Sequence, residues 1–271
     1  MTMMKTVLIS AALAAGLASG AQAAGPSFVS AGTLTVCTTA NFPPLTFKKD
    51  PGDALPVGID IDIANALAGE WNATTAFTTT DFAGLLPTLG SGRCDLIISG
   101  IYINEERRQT YDGARYMKSA TVLVTKAGNQ DISDPQSLSG KTVALESGTY
   151  YVEERIDPLN AEFKTAGKPA VTVQDYPTQQ AAYQQVLVGR ADATLTEEAE
   201  GAYRVATTTD QFKIAYTWQS DFTYGIYMRR NGDDLTRVRD TLKKLSQDGF
   251  FATLAETYGL DPAVFEVDYD S

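Results

Sequence analysis

Two residues of opposite charge carry most of the chemistry this chain can offer. Arg107, early in the segment Asn104-Glu-Glu-Arg-Arg-Gln, has the planar fork that grips a carboxylate through two parallel hydrogen bonds. Glu197 directly follows the apolar run Ala193 to Leu195 and Thr196, and suits an ammonium group. Phe42, Phe82 and Tyr102 add flat apolar walls and faces for a cation. One cation, one anion and aromatic walls are what a zwitterionic amino acid asks for. Each residue also has a plainer reading. Arg107 with Arg108 fits a solvated helix face, Glu197-Glu198 with Glu200 an acidic helix start, and isolated phenylalanines a core.

Composition narrows the chemistry further. The 271 residues include no histidine, which removes Ser-His-Asp and Cys-His catalysis and every His-containing zinc site. With 22 Lys+Arg against 33 Asp+Glu the formal net charge is -11, the wrong sign for displacing phosphate counterions from a nucleic acid. No cofactor, metal ion or catalytic residue is expected. Apolar content of 44% is that of a folded globular chain.

The first residues read as an export signal rather than as fold. Lys5 is the positive start, Val7 to Leu17 the apolar run, and Ala21-Gln22-Ala23 the small-x-small cleavage site, so residues 1–23 form a signal peptide. The run is too short for a membrane anchor, which needs about 20 apolar residues. No cysteine lies in or just after it, so a lipid anchor is not expected. Export places the mature chain in an oxidising compartment, where disulfides form. Cys37 and Cys94 allow one bridge, read here as a structural disulfide, with two buried thiols as the alternative.

The elements that must position these residues alternate strand and helix. Thr33 to Cys37 is a strand, Ile59, Ile63, Ala66 and Leu67 share a helix face, and Cys94 to Ser99 is a buried strand. Between the last two, Asp81 caps a helix whose apolar side is Phe82, Leu85, Leu86 and Leu89. The grammar restarts with the strand Lys141-Thr-Val-Ala-Leu, then strands at Ala170 to Gln174 and Ala193 to Leu195, with a helix over Thr178 to Val188. Leu89-Gly-Ser-Gly-Arg-Cys-Asp and Leu187-Val-Gly-Arg-Ala-Asp both close a helix and open a strand, at equivalent places in the two series. The pattern predicts two α/β lobes.

Ligands of open α/β sheets bind beyond the carboxyl ends of the strands. Asn41-Phe42, Ser99-Gly100, Ser147-Gly148-Thr149 and Thr196-Glu197 all follow strands, and facing lobes would bring them to one cleft.

These segments also carry a resemblance. Gly32-Thr-Leu-Thr-Val, Asn41-Phe-Pro-Pro, Val57-Gly-Ile-Asp-Ile-Asp-Ile-Ala, Leu86 to Gly100, Ile103-Asn-Glu-Glu-Arg, Leu138-Ser-Gly-Lys-Thr-Val-Ala, Ser147-Gly-Thr, Gly189-Arg-Ala-Asp-Ala and Tyr224-Gly-Ile run in a specific order and spacing. In them the chain resembles the periplasmic solute-binding proteins of polar amino-acid ABC transporters, the family 3 extracellular group. The resemblance implies a periplasmic-binding-protein type II-like fold, two α/β lobes joined by a two-segment hinge that closes on a ligand. The crossings would fall near 120–126 and 218–224. Lobe 1 would comprise residues 24–120 with 223–271, and lobe 2 residues 121–222. It further implies a monomer that delivers an amino acid or analogue to an inner-membrane permease.

Carried over by position, the resemblance makes Phe42 and Phe82 the aromatic walls and Ser99, Gly100 and Tyr102 the contact loop. Arg107 becomes the carboxylate anchor, Thr149 and Tyr150 second-lobe anion contacts, and Glu197 the ammonium holder. Tyr102, Tyr150 and Glu197 depart from the usual small hydroxyl residues and aspartate, which implies an altered ligand geometry. Periplasmic cyclohexadienyl dehydratases on the same scaffold supply the rival expectation. They resemble this chain in Ser99-Gly-Ile-x-Ile-Asn, with Glu197 or Glu200 as a general acid.

Overall fold

The computed structural model describes residues 25–219 and 222–271, and the signal-peptide reading of residues 1–23 lies outside them. Twelve strands run through the described chain. They are β1 (Thr33–Thr38), β2 (Asn41–Phe42), β3 (Thr46–Phe47), β4 (Thr74–Thr79), β5 (Leu96–Ile97) and β6 (Tyr111–Lys118), then β7 (Thr121–Lys126), β8 (Thr142–Glu146), β9 (Thr172–Tyr176), β10 (Ala193–Glu197), β11 (Phe212–Thr217) and β12 (Thr223–Arg229). Two five-stranded sheets result, in the orders β4-β1-β5-β12-β6 and β11-β7-β10-β8-β9, with β2 and β3 as a small separate ladder. In each large sheet three neighbouring strands run parallel and two add antiparallel at one edge. The mixed α/β architecture of two lobes is the one the sequence pattern predicts.

Helices cover both faces of the first sheet, and its strand residues divide between them with period two. Val36 and Leu96 pack with Ile59, Ile63 and Leu67 of α1 (Ile59–Glu70), together with Val238 and Leu242 of a long C-terminal helix. Cys37 and Ile97 face the other way, onto Leu85 and Leu89 of α2 (Leu85–Gly90). The second sheet is built alike. Val143, Leu145, Ala193 and Leu195 join one cluster, and Val122, Val124 and Ala144 another with Ala182, Tyr183 and Val186.

The repeated Gly-Arg-x-Asp segments have one structural meaning. Gly92 and Gly189 adopt φ of +75° and +78°, the left-handed geometry that ends a helix with little strain only at glycine. The next backbone N–H reaches back to a carbonyl of the last turn, Arg93 to Thr88 and Arg190 to Gln185. The aspartates then clasp the neighbouring strand twice. Asp95 donates its N–H to the Thr35 carbonyl and accepts the Thr35 N–H on Oδ2 at 2.9 Å. Asp192 does the same with Thr142, at 2.8 Å for the side-chain bond. Each motif therefore fixes the register of the strand it opens against its parallel neighbour.

The expected strand from Cys94 to Ser99 is shorter, confined to Leu96–Ile97, because Asp95 spends its bonds on that clasp and Ser99 turns to meet Thr39. The chain passes between the sheets twice, at residues 119–120 and again after β11 ends at Thr217 and before β12 begins at Thr223. The first crossing is tighter than expected, since Thr121–Lys126 is already strand of the second sheet.

Candidate functional site

A disulfide joins Cys37 and Cys94, both buried, and closes a sequence separation of 57 residues. It ties the end of β1 to the approach to β5, so the loops that leave these strands at Thr39 and Ser99 start from a fixed pair. Ser99 is buried and its Oγ accepts the Thr39 N–H at 3.0 Å. Gly100 follows at φ +54°, where an added Cβ would lie 3.2 Å from the Phe42 ring. Its N–H donates to Oδ2 of the buried Asp60 at 2.7 Å, and the Tyr116 hydroxyl donates to Oδ1 at 2.7 Å. Burial lifts the Asp60 carboxyl to about 7, with these two hydrogen bonds pulling the other way. Asp60 thus anchors the contact loop from behind.

The second sheet contributes through two neighbouring parallel strands. Their register pairs Ala193 with Val143 and Thr194 with Ala144, so β8 and β10 end side by side. Each ends in glutamate, Glu146 at 4% and Glu197 at 5% exposure. A small, largely closed gap lies between the lobes, lined by both glutamates, by Thr39, Phe42, Phe82, Ser99 and Gly100 from the first sheet's loops, and by Thr149 and Tyr151. Burial pushes Glu197 up to about 8, offset in part by a hydrogen bond from the Tyr151 hydroxyl. Burial, then the charge of Glu197, pushes Glu146 to about 8 as well. Tyr151 is itself held well above its ordinary value by burial and by Glu197, so its hydroxyl keeps its proton and donates.

Six of the residues singled out from sequence therefore meet in this cavity: Phe42, Phe82, Ser99, Gly100, Thr149 and Glu197. Thr149 turns its hydroxyl onto the Glu146 carbonyl at 2.8 Å. Three others stand elsewhere. Arg107 lies in an adjoining outer recess with Tyr150, and that recess shares Phe82 and Thr149 with the inner cavity. Its guanidinium donates to the Tyr102 carbonyl at 2.8 Å and the Gly148 carbonyl at 3.2 Å, which makes it a bridge between the lobes. It also sits over the Phe82 ring, 5.8 Å from the centroid. The side chain is placed by helix α3 (Glu105–Thr110), whose cap Asn104 accepts the Arg107 N–H at 2.9 Å.

Tyr102 and Tyr150 belong to an aromatic belt beside the crossings between the sheets. Their ring centroids are 4.7 Å apart, both contact Phe222, and Phe222 contacts Tyr224. Tyr150 is 3% exposed and its hydroxyl shares a 3.0 Å hydrogen bond with Thr121. Glu200, the other acid proposed for a dehydratase, is fully engaged. It pairs with Arg204 at 3.0 Å and accepts from the Tyr183 and Thr196 hydroxyls at 2.7 and 3.0 Å.

Sequence reasoning missed Glu146, Tyr151, Thr39 and Asp60. A readable signal existed for Glu146: an acid between the apolar strand Thr142-Val-Ala-Leu and the turn Ser147-Gly148, the same placement that drew attention to Glu197.

Known proteins match this arrangement over most of the chain. The model of the bacterial extracellular solute-binding proteins, family 3, matches residues 34–261. The L-cystine-binding protein of Escherichia coli (strain K12) is 28% identical over 230 residues, which cover 84% of this chain and 82% of that protein. A solved ancestral arginine-binding protein bound to arginine superimposes with a TM-score of 0.75 at 33% identity, covering 84% of this chain and 98% of its own. An ancestral amino-acid-binding protein described as a precursor of cyclohexadienyl dehydratase superimposes with a TM-score of 0.71 at 28% identity, over 84% and 95% of the two chains. Built of two α/β lobes and matched over residues 34–261, the chain belongs to the bacterial extracellular solute-binding proteins of family 3.

Proposed function

We propose that this chain is the periplasmic receptor of an ABC importer, taking an amino acid or a related small cationic or zwitterionic solute into its interlobe cleft. The hinge bodies in this reading are residues 24–120 with 223–271, and residues 121–222. The receptor acts as a monomer and hands its ligand to an inner-membrane permease. Ligand contacts made by both lobes favour the closed form over the open one.

One observation carries the reading. Glu197 is buried at the end of a second-sheet strand, and the same cavity is walled by Phe42 and Phe82 from the first. Among the described residues no lysine or arginine forms an ion pair with Glu197, whose support is the Tyr151 hydroxyl, its own backbone N–H and the more distant charge of Arg107, and desolvation disfavours its charge by several kcal/mol in order of magnitude. A cationic ligand between the lobes supplies the missing charge. Arg107 already joins the lobes through Tyr102 and Gly148, and in this reading it latches the closed cleft. The names of the matched relatives, binders of cystine and of arginine, agree in ligand class. Glu200 offers no free acid to a dehydratase, since Arg204, Tyr183 and Thr196 occupy its oxygens.

A thermal-shift screen of the natural amino acids and their decarboxylated amines tests the proposal. At least one compound at millimolar concentration should raise the melting temperature of the mature protein by several degrees, and Glu197→Gln should abolish that rise. A flat response across the whole set would overturn the receptor reading.

A further inference from the structure

We infer that the inner cavity takes a small organic cation that bears no carboxylate, held between Glu146 and Glu197. The inference rests on the receptor reading and narrows its ligand.

Glu146 carries the argument. Its side chain is 4% exposed and lines the cavity, yet Oε1 has no hydrogen-bond partner among the described residues. The carboxylate is met by the Gln179 backbone N–H at the start of the helix Gln179–Val188, which leaves that second oxygen for something inside the cavity. A buried acceptor left unmatched is costly, and native proteins rarely keep one without a function.

Charge counting then selects the ligand. Among the described residues two carboxylates line the cavity and no lysine or arginine does. A zwitterion would bring a third carboxylate into that space, with no cation there to receive it. The nearest guanidinium, Arg107, is committed to two carbonyl oxygens and faces the outer recess. The walls are Phe42, Phe82 and Tyr151, whose ring faces suit an organic cation. A hard metal ion instead asks for six or more oxygen ligands, and among the described residues no group of three or more histidine, cysteine, aspartate or glutamate side chains is placed to hold one.

The protonation state agrees with this assignment. Burial holds both acids up to about 8, with the charges of Glu197, Glu200 and Asp81 adding repulsion on Glu146 and that of Glu200 on Glu197. Tyr151 and the charge of Arg107 pull Glu197 the other way. An arriving cation supplies the charge that lets the carboxyls ionise.

Isothermal titration at pH 8 with three pairs of compounds that differ only in the carboxylate tests the inference: agmatine against arginine, cadaverine against lysine, ethanolamine against serine. The tightest amine should bind at least tenfold more tightly than its amino acid. Glu146→Gln should weaken that amine tenfold or more while raising the melting temperature, a combination that a merely structural glutamate would not give. Should that variant fail to fold, Glu146→Asp, which keeps the charge but withdraws it by one methylene, should still cost at least threefold. An amino acid that binds more tightly than its amine would overturn the inference and leave the receptor reading standing. Amine binding indifferent to both variants would overturn the role of Glu146. No binding by any of the six to folded protein would overturn both readings.

Discussion

Glu146 and Glu197 hold protons in the fold that the unfolded chain releases near the ordinary carboxylate range. Their folded values, about 8, lie above the unfolded ones, so between roughly pH 4.5 and 8 the folded state binds more protons. Stability from these groups is therefore complete at low pH and is lost as pH rises through that window. Asp60, lifted to about 7, adds a loss of the same sign. Glu146→Gln removes one of the paired charges and leaves Asp60 in place. Thermal unfolding followed by circular dichroism at pH 5, 6, 7 and 8, without added ligand, should show the variant gaining on the parent as pH rises. A gap that stays constant or narrows would contradict this account of the pair.

Residues were legible from sequence where a strand end made them so. Glu197, Ser99 and Phe42 each follow an apolar strand and each lines the cavity. Arg107 was legible as a cation near the cleft but not as a bridge, because its partners are the carbonyls of Tyr102 and Gly148, which no side-chain pattern announces. Glu146 hid behind its neighbours: the strand reading stopped at Leu145, and the turn reading began at Ser147.

At the scale of elements, the disulfide and the two aspartate clasps do related work. All three fix where a strand ends relative to the strand beside it, and the ends are where the site is built. The Cys37–Cys94 bond fastens β1 to the entry of β5 within a core of Leu85, Leu89, Ile97 and Tyr227. Replacing both cysteines with alanine should lower stability by about 2–4 kcal/mol, read as a lower urea midpoint. An unchanged midpoint would mean that packing alone holds the pair. The helix-strand alternation and the Gly-Arg-x-Asp repeat were readable because each depends on local periodicity and turn chemistry. Strand length was less so. A clasp by Asp95 onto Thr35 shortens β5 to two residues, and that clasp depends on a strand 60 residues earlier.

At the scale of the molecule, two sheets joined by two crossings meet across one cleft, with an aromatic belt of Tyr102, Tyr150, Tyr151, Phe222 and Tyr224 at the crossings. Tyr150, Tyr151, Phe222 and Tyr224 of the belt are buried, and the loops beyond it grade from the Arg107 recess to the two glutamates. Sequence placed Arg107 and Glu197 at opposite poles of one ligand. The structure sets them on two compartments that share Phe82 and Thr149, and the inner one carries the stronger demand for positive charge. Native mass spectrometry of protein gently purified from its own cells reads that demand most directly. The account predicts a retained small cation on the parent protein and none on Glu197→Gln, whereas a ligand retained equally by both, or an anionic one, would contradict it.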